Sequence, residues 1–182
     1  MKKGGWKSII IVAFCACLCV GYFYYLTQKT GGKGSSMTEA ELIVSKDLEN
    51  SYPKTAREVV KFYNRILSCY YSEEYTEEQL EQMAEQARIL MDEELRQNNP
   101  QDAYLQAVKA DIASFVQEGK SIYNIGLEGS GEIEYKTVKG RECAYVDVVY
   151  YMKAKGKSER SSQTYILRRD DENDWRILGF YQ

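Results

Sequence analysis

The hydrophobic period of this chain changes at Gly119, and that change decides the fold class. Before it, apolar side chains recur every three to four residues, the spacing of one face of an α-helix. After it they alternate, the spacing of a half-buried strand. Thr55-Ala-Arg-Glu58 is a capping box, in which the threonine hydroxyl and the glutamate carboxylate each satisfy a free backbone N–H. Val59, Phe62, Tyr63, Ile66, Leu67 and Tyr70 follow at helical spacing. A second box, Thr76 with Gln79, opens a helix whose face runs Leu80, Met83, Ala84, Ala87, Leu90, Met91 and Leu95. Asn99-Pro100 reads as an N-cap followed by proline at the first helical position. Tyr104, Val108, Ile112, Phe115 and Val116 form that helix's face, and Gly119 ends it.

Beyond Gly119 the alternation predicts strands at residues 121–127, 133–138, 143–154, 163–169 and 175–181. Lys139-Gly140, Lys155-Gly156-Lys157 and the stretch 170–174 supply turns. In the longest strand Ala144, Val146, Val148, Tyr150 and Met152 share one face, with Tyr145, Asp147, Val149 and Tyr151 on the other. Connections this short pair neighbouring strands antiparallel. Three helices followed by an antiparallel sheet make an α+β domain with its helices on one sheet face.

The N-terminus is of another kind. Residues 9–26 read IIIVAFCACLCVGYFYYL, eighteen residues without a charge. As a helix rising about 1.5 Å per residue, this run nearly matches a hydrocarbon core of about 30 Å. Trp6 marks its near end and Tyr22, Phe23, Tyr24 and Tyr25 its far end, the positions of an interfacial aromatic belt. Lys2, Lys3 and Lys7 precede it, so the expected topology is a single-pass cell-membrane protein with a cytoplasmic N-terminus and an extracytoplasmic C-terminal domain. A cleaved signal peptide is the main rival, disfavoured by bulky aromatics where cleavage wants small residues. A lipid anchor on Cys15, Cys17 or Cys19 is the other, and no preceding triplet suits it. Residues 27–36 (TQKTGGKGSS) form a flexible linker. Residues 37–50 carry only Leu42, Ile43 and Leu48 as a short amphipathic pattern and read as a stalk closed by Pro53. The expected organisation is therefore residues 1–8 as tail, 9–26 as span, 27–52 as linker and stalk, and 53–182 as the domain.

Several chemistries are excluded. The chain contains no histidine, which removes the usual base near neutral pH, the usual zinc ligand and every Ser–His or Cys–His arrangement. Residues 27–182 carry 21 basic against 27 acidic side chains, a poor match for nucleic acid. Residues 126–131 (GLEGSG) precede no helix, so they form a turn and not a phosphate cradle. The acidic pairs sit at helix starts or turns, where they complement the helix dipole or face solvent. DDENDW lacks the central glycine of a calcium loop. No cofactor and no metal site is expected. Cys69 and Cys143 fall on a predicted helix and a predicted strand; two free buried thiols are the default and a disulfide the alternative.

The paired opening helices, the CAYVDVVYYMKAKGK strand and the ending YILRRDDENDWRILGF resemble the NTF2-like (cystatin-like) superfamily over residues 53–182. The closing pattern, an aliphatic strand, an acidic turn and then Trp-x-Ile, carries most of that resemblance. The chain also resembles small membrane-anchored domains of unknown function from anaerobic Gram-positive bacteria. The resemblance implies a curved sheet wrapped around helices as a cone, with a pocket for which Tyr63, Tyr150, Tyr165 and Trp175 are the candidate lining. Some members are isomerases or dehydratases that use an Asp in the cone. Here the alternation puts Asp147, the one acid in the sheet interior, on the outer face. Only a shifted register would make it a general base beside Tyr63 or Tyr165. No catalytic residue is assigned. The expected function is a non-catalytic binding or interaction module at the outer membrane surface, with an isomerase- or hydratase-like enzyme as alternative. Tyr145 and Tyr151 offer an outer-sheet surface to a partner protein or a second copy.

Overall fold

The computed structural model describes residues 37–72, 74–127 and 133–182. The residues divide into two compact units, Met1–Ser36 and Met37–Gln182. The expected membrane segment and linker fall in the first unit, outside the described residues. Among the described residues no helix is long and apolar enough to cross a membrane.

The second unit is α+β. Its elements are α1 (Glu39–Val44), α2 (Ala56–Ser72), α3 (Glu77–Ile89), α4 (Glu93–Asn98), α5 (Gln101–Gln117), β1 (Lys120–Leu127), β2 (Glu134–Val138), β3 (Arg141–Ala154), β4 (Lys157–Arg169) and β5 (Trp175–Tyr181). The sheet is antiparallel with order β1-β3-β4-β5, and β2 also pairs with β3. β1 takes the C-terminal half of β3 (Leu127 opposite Val148, Lys120 opposite Ala154), and β2 takes the N-terminal half (Tyr135 opposite Ala144). β4 is longer than its alternation suggests and pairs with β3 along its whole length. The reason is the two-residue turn at Lys155-Gly156, where φ is 49° and 79°. Two left-handed residues give the hairpin the twist of its strands, so pairing starts at once.

α2 is the centre of the core. Both halves of its capping box form: Glu58 N–H donates to Thr55 Oγ1 at 3.2 Å, and Thr55 N–H donates to Glu58 Oε2 at 3.1 Å. Val59, Val60, Ile66 and Cys69 are fully enclosed, each aliphatic contributing about 1.5–3 kcal/mol. Ala144, Val146, Val148 and Leu167 present the sheet's inner face to the core. Cys69 and Cys143 are both buried and free.

Three expectations are corrected. Residues 38–52 are not a stalk: Thr38 caps α1 with a full capping box, and Ala40, Ile43, Leu48 and Tyr52 are buried in the core. The Tyr52 hydroxyl donates to Trp175 O at 2.8 Å. The second helix stops at Ile89 and does not run through to Leu95. Met91 instead bridges to Ile177, with Asp92 N–H donating to Ile177 O and Ile177 N–H to Leu90 O, both at 2.8 Å. Three residues thus extend the sheet beside β5 and satisfy backbone groups that a longer helix would leave there unpaired. Asn99 is also not the N-cap of the last long helix. It closes α4, its side chain donating to Leu95 O at 2.9 Å, and α5 starts behind Pro100 without a side-chain cap.

Asp92 holds this corner together. It caps α4 by accepting from Glu94 N–H at 3.0 Å and takes a forked ion pair from Arg168, at 3.0 and 2.5 Å. Burial pushes its carboxyl up, but the Arg168 guanidinium and the Glu94 N–H outweigh burial and hold it below the usual carboxylate range. A carboxyl lowered by folding stabilises the fold above its unfolded value of about 3.9, and the contribution disappears as pH falls through the lower folded value. Asp92→Ala should therefore lower the unfolding free energy at neutral pH by about 2 kcal/mol, less than for a fully buried pair because Arg168 is partly exposed and keeps Glu94 as a second partner. In denaturant titrations the gap between wild type and variant should close as pH falls below about 4.

Candidate functional site

The inner face of the sheet changes character along β3. At one end Ala144, Val146 and Val148 fit closely against α2. At the other, Tyr150 and Met152 share the face with Ser161, Gln163 and Tyr165 of β4. α5, which covers this end, has no fully buried residue. It is held at its margins, by Lys109 to Glu77, by Arg88 to Gln101 and by Tyr71 stacked on Phe115 at 4.3 Å. Between α2, α5 and the sheet lies a cavity of about 410 Å³, within the range of roughly 300–1,000 Å³ usual for small-molecule sites.

Tyrosine dominates its wall: Tyr63, Tyr70 and Tyr71 from α2, Tyr104 from α5, and Tyr150 and Tyr165 from the sheet. Tyr63 and Tyr165 meet edge to face at 5.8 Å. A hydrogen-bond chain runs behind them. Asn64, 3% exposed, donates through Nδ2 to Val60 O at 2.9 Å, which fixes the orientation of its amide. Its Oδ1 then accepts from the Tyr150 hydroxyl at 2.6 Å. Tyr150 has one proton to give, so Tyr165, 2.6 Å away, must donate to it.

Besides Ser161, Gln163 and Gln182, two polar groups mark the cavity. The Tyr70 hydroxyl lies on a residue only 3% exposed and makes no well-formed hydrogen bond among the described residues, its polar neighbour being the Tyr104 hydroxyl. A buried hydroxyl left without a partner costs about 1–3 kcal/mol. Asp111 sits at the solvent-facing rim, where the Tyr71 hydroxyl donates to its carboxylate. Among the described lining residues it is the one charged side chain.

Burial keeps these phenols neutral. It pushes Tyr150 up to about 12, against the lowering effect of its bonds to Tyr165 and Asn64. Tyr63, Tyr70, Tyr104 and Tyr165 are raised further, again chiefly by burial. Tyr71 is raised by burial and by the Asp111 carboxylate it donates to. The site is thus a set of neutral aromatic faces and hydroxyls with one anion at the mouth.

Of the residues singled out in the sequence, Tyr63, Tyr150 and Tyr165 lie together on this wall. Trp175 does not. It sits at the far end of β5, opposite Arg169, whose guanidinium stacks on the indole at 4.2 Å. Phe180, at the near end of β5 and opposite Tyr165, reaches the cavity instead. Asp147 is exposed on the outer face and accepts from Thr164 Oγ1 at 2.6 Å, so it meets neither Tyr63 nor Tyr165 in the cavity. The sequence reading missed Asp111 and Asn64. Each had a signal: an acid seven residues after Tyr104 in an otherwise apolar helical stripe, and an amide between Tyr63 and Ile66 in a core helix.

Elsewhere, the oxygens of Asp170, Glu172 and Asp174 gather in the β4–β5 turn. Asp170 is already engaged there, accepting from the backbone of Glu172 and Asp174 and from Arg176 at 2.7 Å. A hollow of about 720 Å³ lies beside it, and its guanidiniums at Arg96, Arg141, Arg168 and Arg176 are each ion-paired.

A family described as a domain of unknown function (DUF6715) matches residues 1–180, and the chain belongs to that family. No curated protein matches the chain.

An ordinary phenol ionises near 10, so above that pH the unfolded chain holds fewer protons than the folded one, and stability falls as pH rises through the folded values. In a phenolate-absorbance titration the cavity tyrosines should stay neutral past the ordinary midpoint. They should ionise together with loss of the near-ultraviolet circular dichroism. One transition near pH 10 in the still-folded chain would contradict this site.

Proposed function

We propose that this DUF6715 chain is a non-catalytic small-molecule-binding module of NTF2-like form, held at the cell membrane by residues 9–26. Its N-terminus is cytoplasmic and its folded unit extracytoplasmic. The observation that carries the binding reading is the tyrosine-walled cavity of about 410 Å³ with the unpartnered Tyr70 hydroxyl on its wall. The antiparallel sheet with α2 packed against its inner face supports the NTF2-like form. The uncharged run between its lysines and its aromatic belt supports the anchor.

The isomerase- or hydratase-like alternative is the weaker one. Such chemistry at neutral pH calls for a base inside the cavity with a matched pKa. Of the described residues the buried acid is Asp92, locked to Arg168 away from the cavity, while Asp111 lies at the rim. The outer face carries Tyr145 under Lys136 at 4.8 Å and Tyr151 against Tyr123 at 6.2 Å. It stays a secondary surface for a partner protein or a second copy.

Two measurements test the proposal. The full chain should bind small neutral aromatics such as indole or p-cresol saturably in isothermal titration. Ala107→Trp, which places an indole on the cavity wall from α5, should abolish that binding without unfolding the protein. On fractionation the full chain should stay with membranes through high-salt washing, and a chain lacking residues 1–36 should not. Unchanged binding in the Ala107→Trp variant would end the pocket reading, and a soluble full chain would end the anchor reading.

A further inference from the structure

The charge pattern of the cavity points to a ligand class. Lys and Arg are missing from its described lining, and one carboxylate, Asp111, stands at its mouth. The bonded partner of Asp111 is a neutral phenol, Tyr71, and it makes no ion pair among the described residues. Lys120, which feels its charge, is itself bound to Glu118 at 2.5 Å. An anion would therefore enter against a net negative field in a space of reduced dielectric. A sugar or other polyol would need several free donors and acceptors, yet the hydroxyls of Tyr150, Tyr165 and Tyr71 are already engaged. The rest of the wall is mostly apolar side chains and the π faces of neutral tyrosines, with the buried Tyr70 hydroxyl, Ser161, Gln163 and Gln182 as its uncharged polar groups.

Neutral aromatic rings carry negative charge on their faces and attract organic cations placed over them, and the attraction strengthens as water is excluded. Tyrosines on three sides, an uncompensated carboxylate at the entrance and one hydrogen-bonding group deep in the wall are together complementary to a methylated ammonium with a short hydroxylated arm. We propose that the cavity between α2, α5 and the inner sheet binds an organic cation of the choline class. Its ammonium lies against the tyrosine faces near Asp111, and its hydroxyl pairs with Tyr70. This rests on the small-molecule reading of the same cavity and narrows it to one chemistry. The cation is either a free solute or the headgroup of a lipid.

Isothermal titration of the full chain in a maltoside detergent tests this with choline, tetramethylammonium and dimethylbutanol, the neutral tert-butyl isostere of choline. Choline should bind at one site, and dimethylbutanol about tenfold more weakly. Asp111→Asn should weaken choline by about tenfold while leaving the isostere unchanged. Tyr70→Phe removes a hydroxyl that makes no well-formed hydrogen bond and whose polar neighbour is Tyr104, so the protein should fold normally. It should weaken choline but not tetramethylammonium, which has no hydroxyl to offer. Competition by phosphatidylcholine vesicles, but not by phosphatidylglycerol vesicles, would identify the lipid headgroup as the source, and indifference to both would identify a free solute. Equal binding of choline and its isostere, or no effect of Asp111→Asn, would overturn the cation assignment and leave the small-molecule reading standing. If neither the cations nor the neutral aromatics bind, both fall together.

Discussion

Asn64 is the polar group on which the interior of this domain is organised. An amide 97% withdrawn from solvent must find partners for both of its ends. One end is satisfied within α2, at Val60 O, so the other is left aimed at the sheet, where Tyr150 meets it. That bond sets how α2 sits against β3, because a slip along the helix would leave Oδ1 and two phenols unpaired at once. Hydrophobic contacts alone do not specify position so sharply, since Val59, Val60 and Ile66 would pack nearly as well after a small shift. The cavity is a consequence. With Tyr150 and Tyr165 drawn toward Asn64, their rings stand on the sheet like posts, and α5 sets its Phe115 on Tyr71 of α2 without closing the space below.

The helices are legible in the sequence wherever local chemistry and tertiary contact agree. Thr55 with Glu58, and Thr76 with Gln79, announce helix starts because the capping bonds involve neighbours only. The ends are different. Leu90, Met91 and Leu95 fit a helical stripe, and nothing within ten residues says that Met91 will leave it. What removes it is Ile177, far along the chain, offering backbone partners to residues 90–92. The segment 38–52 hides for a related reason: a six-residue helix has too few apolar positions to show a period, and only the core shows that Ile43 and Leu48 are inside.

The site was partly legible. Alternation in β3 places Tyr150 inward and Asp147 outward without help from the structure, because the period of a strand is two and the Val146/Val148 face is unambiguous. Trp175 misleads because it stands at the far end of β5, opposite Arg169; past the bulge between Ile166 and Leu167, the residue set opposite Tyr165 is Phe180, which reaches the cavity. Asp111 is a matter of assembly. Its stripe on α5 is apolar enough to be read as core, but α5 has no fully buried residue, and the acid lies at the rim of the cavity.

The short parallel bridge at Met91 also affects how copies of this molecule meet. A free edge strand is a template for intermolecular pairing, and β5 would be such an edge were residues 90–92 not already bonded to it. On that flank a neighbouring chain finds the N–H and C=O of Ile177 already taken. The opposite margin is built from β1 and β2, where Glu134 and Lys136 pair at 2.8 Å and every residue of β2 is exposed. Charged side chains there discourage stacking through burial cost, not through lack of partners. The two margins of one sheet are thus protected from cross-chain addition by different means, one by occupation and the other by charge.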